Sequence, residues 1–384
     1  MEKLSIIFCK KCVLDSGDTP ELTVDGAGIC NYCRKYEKQY DEHPISNEKK
    51  NEILSSTLNL IKESKGKYHC IIGLSGGVDS SYLAYLAKDW GLNVLLVHFD
   101  NGWNSELAVD NISRIVEYTG FDLYTEVADW ESFKDLQLSY VKASVLDWEV
   151  PTDHIIRATL YKLAQKYNVK HIISGTNHQT EFILPVSMRY NKSDLANIRD
   201  IHDKFGTRII KKLNFLSSFN QWYMSKLVGV IEHPLLDFVD YDKVKAKKAI
   251  MDKMGWRDYG GKHYESVYTR FYQGYVLPNK FGIDKRKAHL SSLINSKQLS
   301  RQEALEELKK PSYPDPNLEK EDLEFVAKKF NLTIDEFMTL LKKPIVSHAS
   351  FRQDKNITIN FFRKVEVYAN PWLYVNYIKK KFLN

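Results

Sequence analysis

The 384-residue sequence has no apolar run of membrane-spanning length, and no internal repeat or low-complexity tract. A membrane-crossing segment and a repeat architecture are thereby set aside. The opening Met1-Glu2-Lys3 lacks a signal-peptide pattern, so the expected location is the cytoplasm. Charge of one sign is also scarce. A net charge of +6 on this length suits an anionic small substrate as well as nucleic acid and decides neither. Cysteine is sparse, with five in the whole chain. What is present is an ordinary globular composition, long enough for two domains or one large domain with appendages.

Four of the five cysteines form one pattern, Cys9-x-x-Cys12 and Cys30-x-x-Cys33. Paired knuckles at about this separation are a zinc-site signature, each pair giving two thiolates to one tetrahedral Zn2+. Thr23-Val24-Asp25-Gly26-Ala27-Gly28-Ile29 has the turn chemistry for a hairpin between them. An iron–sulfur cluster is the alternative metal, and disulfides are disfavoured in the cytosol. With all four positions used, the metal is read as structural. Cys70 lies in an apolar run and is expected to be a small buried hydrophobe.

That run, Tyr68 to Leu74, leads into Ser75-Gly76-Gly77-Val78-Asp79-Ser80, and a helix-like stretch from Ser81 follows. A strand, a glycine turn and a helix start aim backbone N–H groups and a helix dipole at a phosphate. No Lys follows the glycines, so this is not a Walker A loop. Asp79 would repel phosphates unless it held a cation, which makes Mg2+ its expected partner; capping the following helix is a compatible role.

Apolar runs at 68–74, 93–99, 121–127, 169–174 and 227–232 alternate with helix patterns at 80–90, 105–119, 131–146 and 154–167. Such alternation predicts an α/β fold, a parallel sheet with helices on both faces, and ligands outside the carboxyl ends of its strands. The predicted division is a zinc-knuckle module over 1–40, a nucleotide-binding domain over 41–235 and a mostly helical substrate-binding C-terminal region over 236–384. Further helix patterns fall at 241–254, 299–310 and, as two helices, at 319–342.

The glycine loop resembles the PP-loop of the ATP pyrophosphatase superfamily (adenine nucleotide alpha hydrolase-like), whose members cleave ATP between the α and β phosphates. The resemblance implies ATP contacts from Ser75, Gly76, Gly77, Asp79, Ser80 and Ser81. It also implies an adenosine site at the end of the second strand, Phe99-Asp100; Asp100 either binds a hydroxyl or begins the Asp-Asn-Gly turn. Gly175 would let the nucleotide approach closely. Glu181 resembles the magnesium-binding Glu of ammonia-using NAD synthetases. Arg157 matches an Arg that often faces the phosphates. Where tRNA-thiolating relatives place a cysteine, this chain has Thr152, Asp153 and His154.

Further blocks narrow the resemblance. They are the knuckle segment, Pro151-Thr152-Asp153-His154, Gly260-Gly261-Lys262-His263-Tyr264-Glu265-Ser266 and Phe281-Gly282-Ile283-Asp284-Lys285-Arg286-Lys287-Ala288-His289. Together they resemble the N-acetyl sugar amidotransferase family of surface-polysaccharide biosynthesis, across about residues 9–310. The family implies ATP-dependent conversion of a sugar's acetamido group to an acetamidino group with ammonia. Asn177, Lys262, His263, Glu265, Arg270, Lys285 and Arg286 are the expected substrate contacts, with a solvated basic face as the alternative for the bases. His154, His178 or His263 would shuttle the proton. No cysteine has a glutaminase context, so a separate glutaminase subunit is expected to supply ammonia. A tRNA-modifying PP-loop enzyme is the alternative reading, with nucleic acid otherwise not expected as a partner. Oligomeric state is not legible.

Overall fold

The computed structural model describes residues 6–354 except 43, 262, 263 and 314. Five parallel strands form one sheet: β1 Cys70–Gly73, β2 Val94–Asp100, β3 Asp122–Val127, β4 His171–Ile173 and β5 Ile231–His233, in the order β3-β2-β1-β4-β5. The order reverses direction between β1 and β4, and that crevice is where an open α/β sheet places its ligand.

Strand periodicity explains the layers. Cys70, Ile72, Val94, Leu96 and Ile173 face one side and pack with Leu83, Ala84 and Ala87 of the helix Val78–Asp89 and Ile112 and Ile115 of the helix Glu106–Thr119. The alternate residues Ile71, Leu95, Val97 and Ile172 face the other side, against Ala158, Tyr161, Leu163 and Ala164 of the helix Val150–Lys166. Side chains thus alternate between two covered faces. β3 is an edge strand with Asp122, Leu123, Thr125 and Val127 exposed.

The expected boundary at 235 does not separate cores. Ala246, Ile250 and Met254 of the helix Lys243–Met254 join the Leu83 cluster and complete the cover of the sheet. Likewise Leu14, Leu22 and the knuckle cysteines share one cluster with Trp103, Phe133, Tyr140, Tyr268, Phe271, Phe330 and Phe337. The last expected strand begins late, because Met224–Val228 is helical and ends at Gly229 with φ +84. A helix at Leu195–Phe205 carries a signal the sequence reading passed over: an Asp194 N-cap followed by buried Leu195, Ile198 and Ile201. After residue 266 the chain is mostly helical, with Val267–Phe271 continuing into the wide-wound Tyr272–Phe281 and then, past Gly282, Arg286–Asn295. No helix among the described residues is long and apolar enough to cross a membrane.

Candidate active site

The glycine loop joins the end of β1 to the helix Val78–Asp89. Gly76 adopts φ +84, a left-handed conformation that suits glycine. Gly77 stands at the N-cap without a side-chain cap, so the first-turn N–H groups remain available at the strand-end crevice. The Ser75 hydroxyl accepts from the Gly77 N–H at 3.2 Å and lies 3.2 Å from the Ser80 hydroxyl, which reaches the Gly77 carbonyl at 3.2 Å. A Cβ on Gly77 would come to 3.3 Å from the Ser75 hydroxyl and 3.5 Å from a Glu265 carboxylate oxygen. The missing Cβ leaves the loop N–H groups open to a phosphate, with the Ser75 hydroxyl and the Glu265 carboxylate at the border of the space. Ser81, by contrast, is buried and donates to the Gly77 carbonyl at 2.7 Å and the Gly76 carbonyl at 3.2 Å, so it braces the loop from behind.

Gly175, after β4, meets the loop from across the crevice. A Cβ there would lie 3.4 Å from the Ser80 nitrogen and 3.7 Å from Asp79 Cβ. Its missing side chain makes room for the helix start itself. Asn177 caps the short helix His178–Glu181 by accepting from Thr180 N–H at 2.9 Å, and its amide nitrogen lies 3.5 Å from Asp79 Oδ1. The same Asp79 oxygen accepts from the phenol of Tyr241, a residue missed in the sequence. Burial, the Asp79 charge and then Glu181 push that phenol far up, so it stays protonated and donating. Asp79, in the first turn of the helix Val78–Asp89, and Glu181, at the end of the helix His178–Glu181, both act on this one phenol, and carboxylate oxygens of this kind could hold a hard dication such as Mg2+.

On the β2 side, Phe99 is buried in the core, edge-on to Phe133. Asp100 takes the turn role: its Oδ1 accepts from Gly102 N–H at 3.0 Å. His98 is a further unanticipated contributor. Its Nε2 accepts from the Asn104 amide at 3.0 Å, so Nδ1 donates to the Leu74 carbonyl at 2.9 Å just before the loop.

Several expected contacts are used elsewhere. Arg157 pairs with Glu232 of β5 at 2.8 Å rather than facing the loop, and Glu232 is level with Ile71 in β1, below the strand ends. His154 is buried; Nε2 accepts from Leu216 N–H at 3.2 Å and Nδ1 donates to the Lys192 carbonyl at 2.8 Å. Burial holds its pKa at about 4, so it is neutral, fully bonded and no proton shuttle. His178 is bonded through both Nδ1 and its backbone N–H to Asp237, each at 2.8 Å, and stacks on Tyr40. Lys262 and His263 lie outside the described residues.

Arg270, Lys285, Arg286 and Lys287 of the C-terminal block are each engaged as latches within the chain instead of standing free as substrate grips or a solvated face. Arg270 makes two bonds to Asp322, at 2.7 and 2.8 Å, and Tyr313 donates to the same carboxylate. Lys285 reaches Glu149 at 3.2 Å. Arg286 pairs with Asp284 at 2.7 Å and donates to the Lys310 carbonyl at 2.9 Å, closing the end of the helix Arg301–Lys309. Lys287 bridges Asp15 and Asp18 of the knuckle at 2.5 and 3.0 Å. Of the expected substrate contacts, Asn177 and Glu265 stand at the crevice.

The knuckle sulfurs of Cys9, Cys12, Cys30 and Cys33 are all buried and lie within 4.8 Å of one another, with Cys9–Cys33 at 4.0 Å and Cys12–Cys30 at 3.8 Å. A tetrahedron with Zn–S bonds of about 2.3 Å has edges of about 3.8 Å, so the set fits a structural zinc ion and could hold one. Backbone N–H groups of Cys12 and Cys30 point at the Cys9 sulfur at 3.4 and 3.3 Å, and Asn295 donates to the Cys33 sulfur at 3.2 Å. Cys70 is fully buried in β1, and burial pushes its thiol up.

Comparison with known proteins agrees with this geometry. Residues 50–218 match the NAD synthase family model, and residues 265–366 match that of the LPS biosynthesis protein WbpG-like, C-terminal domain. An uncharacterised protein of Methanocaldococcus jannaschii is 25% identical over 317 residues, 80% of this chain and 94% of its own. The NH(3)-dependent NAD(+) synthetase of Methanococcoides burtonii is 24% identical over 184 residues, 44% of this chain and 60% of its own. The tRNA-specific 2-thiouridylase MnmA of Clostridioides difficile is 26% identical over 204 residues, 48% of this chain and 50% of its own. Fold and loop therefore define a PP-loop protein of the NAD synthase type, a class that implies use of ATP and Mg2+. A core of this type joined to a WbpG-like domain agrees with the resemblance to the N-acetyl sugar amidotransferase family within the PP-loop superfamily.

Proposed function

We propose that this chain is an ATP-dependent amidotransferase that converts the acetamido group of a nucleotide-linked N-acetyl sugar to an acetamidino group, for a surface polysaccharide or another surface glycan. The observation that carries the reading is the uncapped loop Ser75–Ser80 at the switch point between β1 and β4, with Asp79 oriented by Tyr241 and Asn177.

An amide resists ammonia because its oxygen is a poor leaving group. In the proposed reaction the acetamido oxygen attacks the α-phosphorus of ATP; a P–O bond forms, the α–β bridge breaks and pyrophosphate leaves. Ammonia then adds to the activated carbon, AMP departs with the original oxygen, and the nitrogen loses a proton. The loop amides and the Ser75 and Ser80 hydroxyls bind the phosphates and stabilise the leaving pyrophosphate. Asp79 and Glu181 would hold a dication, which would neutralise phosphate charge. Glu265 and Asn177 border the acceptor sugar. The proposed zinc ion ties the knuckle together and takes no part in the chemistry.

Ammonia is proposed to come from a separate glutaminase subunit. Four cysteines form the knuckle and the fifth is buried in β1, which leaves this chain no accessible thiolate for glutamine hydrolysis or sulfur transfer. The purified chain is incubated with ATP, Mg2+, ammonium and UDP-N-acetyl sugars, and products are read by mass spectrometry. The expected result is a sugar in which NH replaces O, formed with AMP. Turnover with glutamine alone would remove the need for a second subunit, and AMP release only with tRNA would overturn the sugar reading.

A further inference from the structure

The segment that follows the helix Lys243–Met254 crosses behind the phosphate loop and is tied down at both ends. At one end Asn111 exchanges two bonds with the backbone of Arg257, each at 2.8 Å, and Arg257 pairs with Asp110 at 2.6 Å. At the other, Ser105 N–H donates to the Glu265 carbonyl and Val267 N–H to the Trp103 carbonyl, both at 2.9 Å. On either side of the Arg257 anchor, the indole N–H of Trp256 and the phenol of Tyr259 both donate to the carbonyl of Gly76, at 2.9 and 2.8 Å. The two rings pack edge to face at 5.3 Å, and Trp256 is buried.

With the Ser81 hydroxyl at 3.2 Å, three donors converge on one loop carbonyl. A trans peptide is planar, so holding this oxygen away from the cradle fixes the Gly77 N–H on the opposite side. Without that hold, a glycine pair is the part of the chain freest to rotate. A rotated peptide would turn a carbonyl dipole toward the bound phosphates. The Gly77 N–H now donates to the Ser75 hydroxyl and is the donor that a bound phosphate oxygen would take over.

We infer that Trp256 and Tyr259 are positioning residues of the phosphate site, which hold the Gly76–Gly77 peptide in its anion-binding orientation. They act through the loop and touch no substrate. Glu265, whose carboxylate stands 3.5 Å from a Cβ placed on Gly77, borders the same loop. This inference rests on the phosphate-binding reading of the loop and not on the identity of the sugar.

The test titrates inorganic pyrophosphate and MgATP into the purified wild-type chain and into Tyr259→Phe, Trp256→Phe and the double variant. Thermal unfolding and zinc content report folding. Loss of one donor is expected to weaken pyrophosphate binding about five- to tenfold, and loss of both further. The KM for ATP should rise while that for ammonium stays constant, a split that a purely structural role would not give. Tyr259→Phe removes one oxygen and decides the matter if the indole variants do not fold. Wild-type affinity in folded Tyr259→Phe overturns the inference. Failure of the wild type to bind either ligand would instead remove the phosphate-loop reading beneath it.

Discussion

Two regions that look alike in the sequence, each a glycine pair or single glycine beside charged residues, do opposite work. Around Ser75–Ser80 and Gly175 the glycines leave a helix start without a side-chain cap, with Asp79 and Glu265 beside it and Glu181 near enough to act on the same phenol as Asp79. Around Asp284–Lys287 each cation has an acidic partner within the chain, and the bonds fasten the knuckle and the last helices to the body. A charged residue in a sequence states what it can bind, and only its neighbours state what it has bound.

The comparison breaks most visibly at Asp79. Asp79→Asn is expected to lower AMP formation about a thousandfold, the scale of a lost cation ligand, while zinc content stays unchanged. Retention of AMP formation would end the distinction between the two regions. In the latch region Lys287→Met leaves Asp15 and the 3%-exposed Asp18 side chain facing each other, at a cost of about 3 kcal/mol. Urea unfolding should register that loss, and zinc should become easier to strip with chelator. Pyrophosphate affinity of the folded variant should match wild type.

His154 sharpens the contrast through pH. Its folded pKa of about 4 lies below the ordinary 6.5, so the unfolded chain binds the proton more readily. Its contribution is therefore present above pH 6.5 and is lost as pH falls toward about 4, in total about 3 kcal/mol for a shift of about 2.5 units. Unfolding measured across this window should show a shallower acid slope in His154→Gln, whereas a catalytic histidine would instead add a limb to the rate profile. The smallest effect is expected for Lys285→Met, about 1 kcal/mol, because its bond to Glu149 is long and partly solvated.

The parallel sheet, the glycine loop and the cysteine knuckle were legible because each rests on local spacing: alternating apolar runs, a strand–glycine–helix junction, paired C-x-x-C. Asp79, Glu181 and Gly175 were singled out from the same kind of local pattern. Tyr241, Trp256 and Tyr259 were not, since they reach the loop from more than 150 residues away in sequence, and an aromatic in a polar stretch gives no local sign of its partner. Arg157, Arg270, Lys285 and Arg286 misled for the complementary reason. Their acidic partners Glu232, Asp322, Glu149 and Asp284 are, save the last, remote in sequence. His154 misled because burial, invisible in its motif, removes its proton.

The central claim is that the crevice between β1 and β4 activates an acetamido oxygen by transferring AMP to it. The most direct measurement follows that oxygen. A UDP-N-acetyl sugar labelled with heavy oxygen in the acetamido carbonyl is turned over with ATP, Mg2+ and ammonium, and the AMP is weighed by mass spectrometry. The account predicts that the label leaves the sugar and appears in AMP, one heavy atom per molecule. Unlabelled AMP formed beside an amidinated sugar would contradict it.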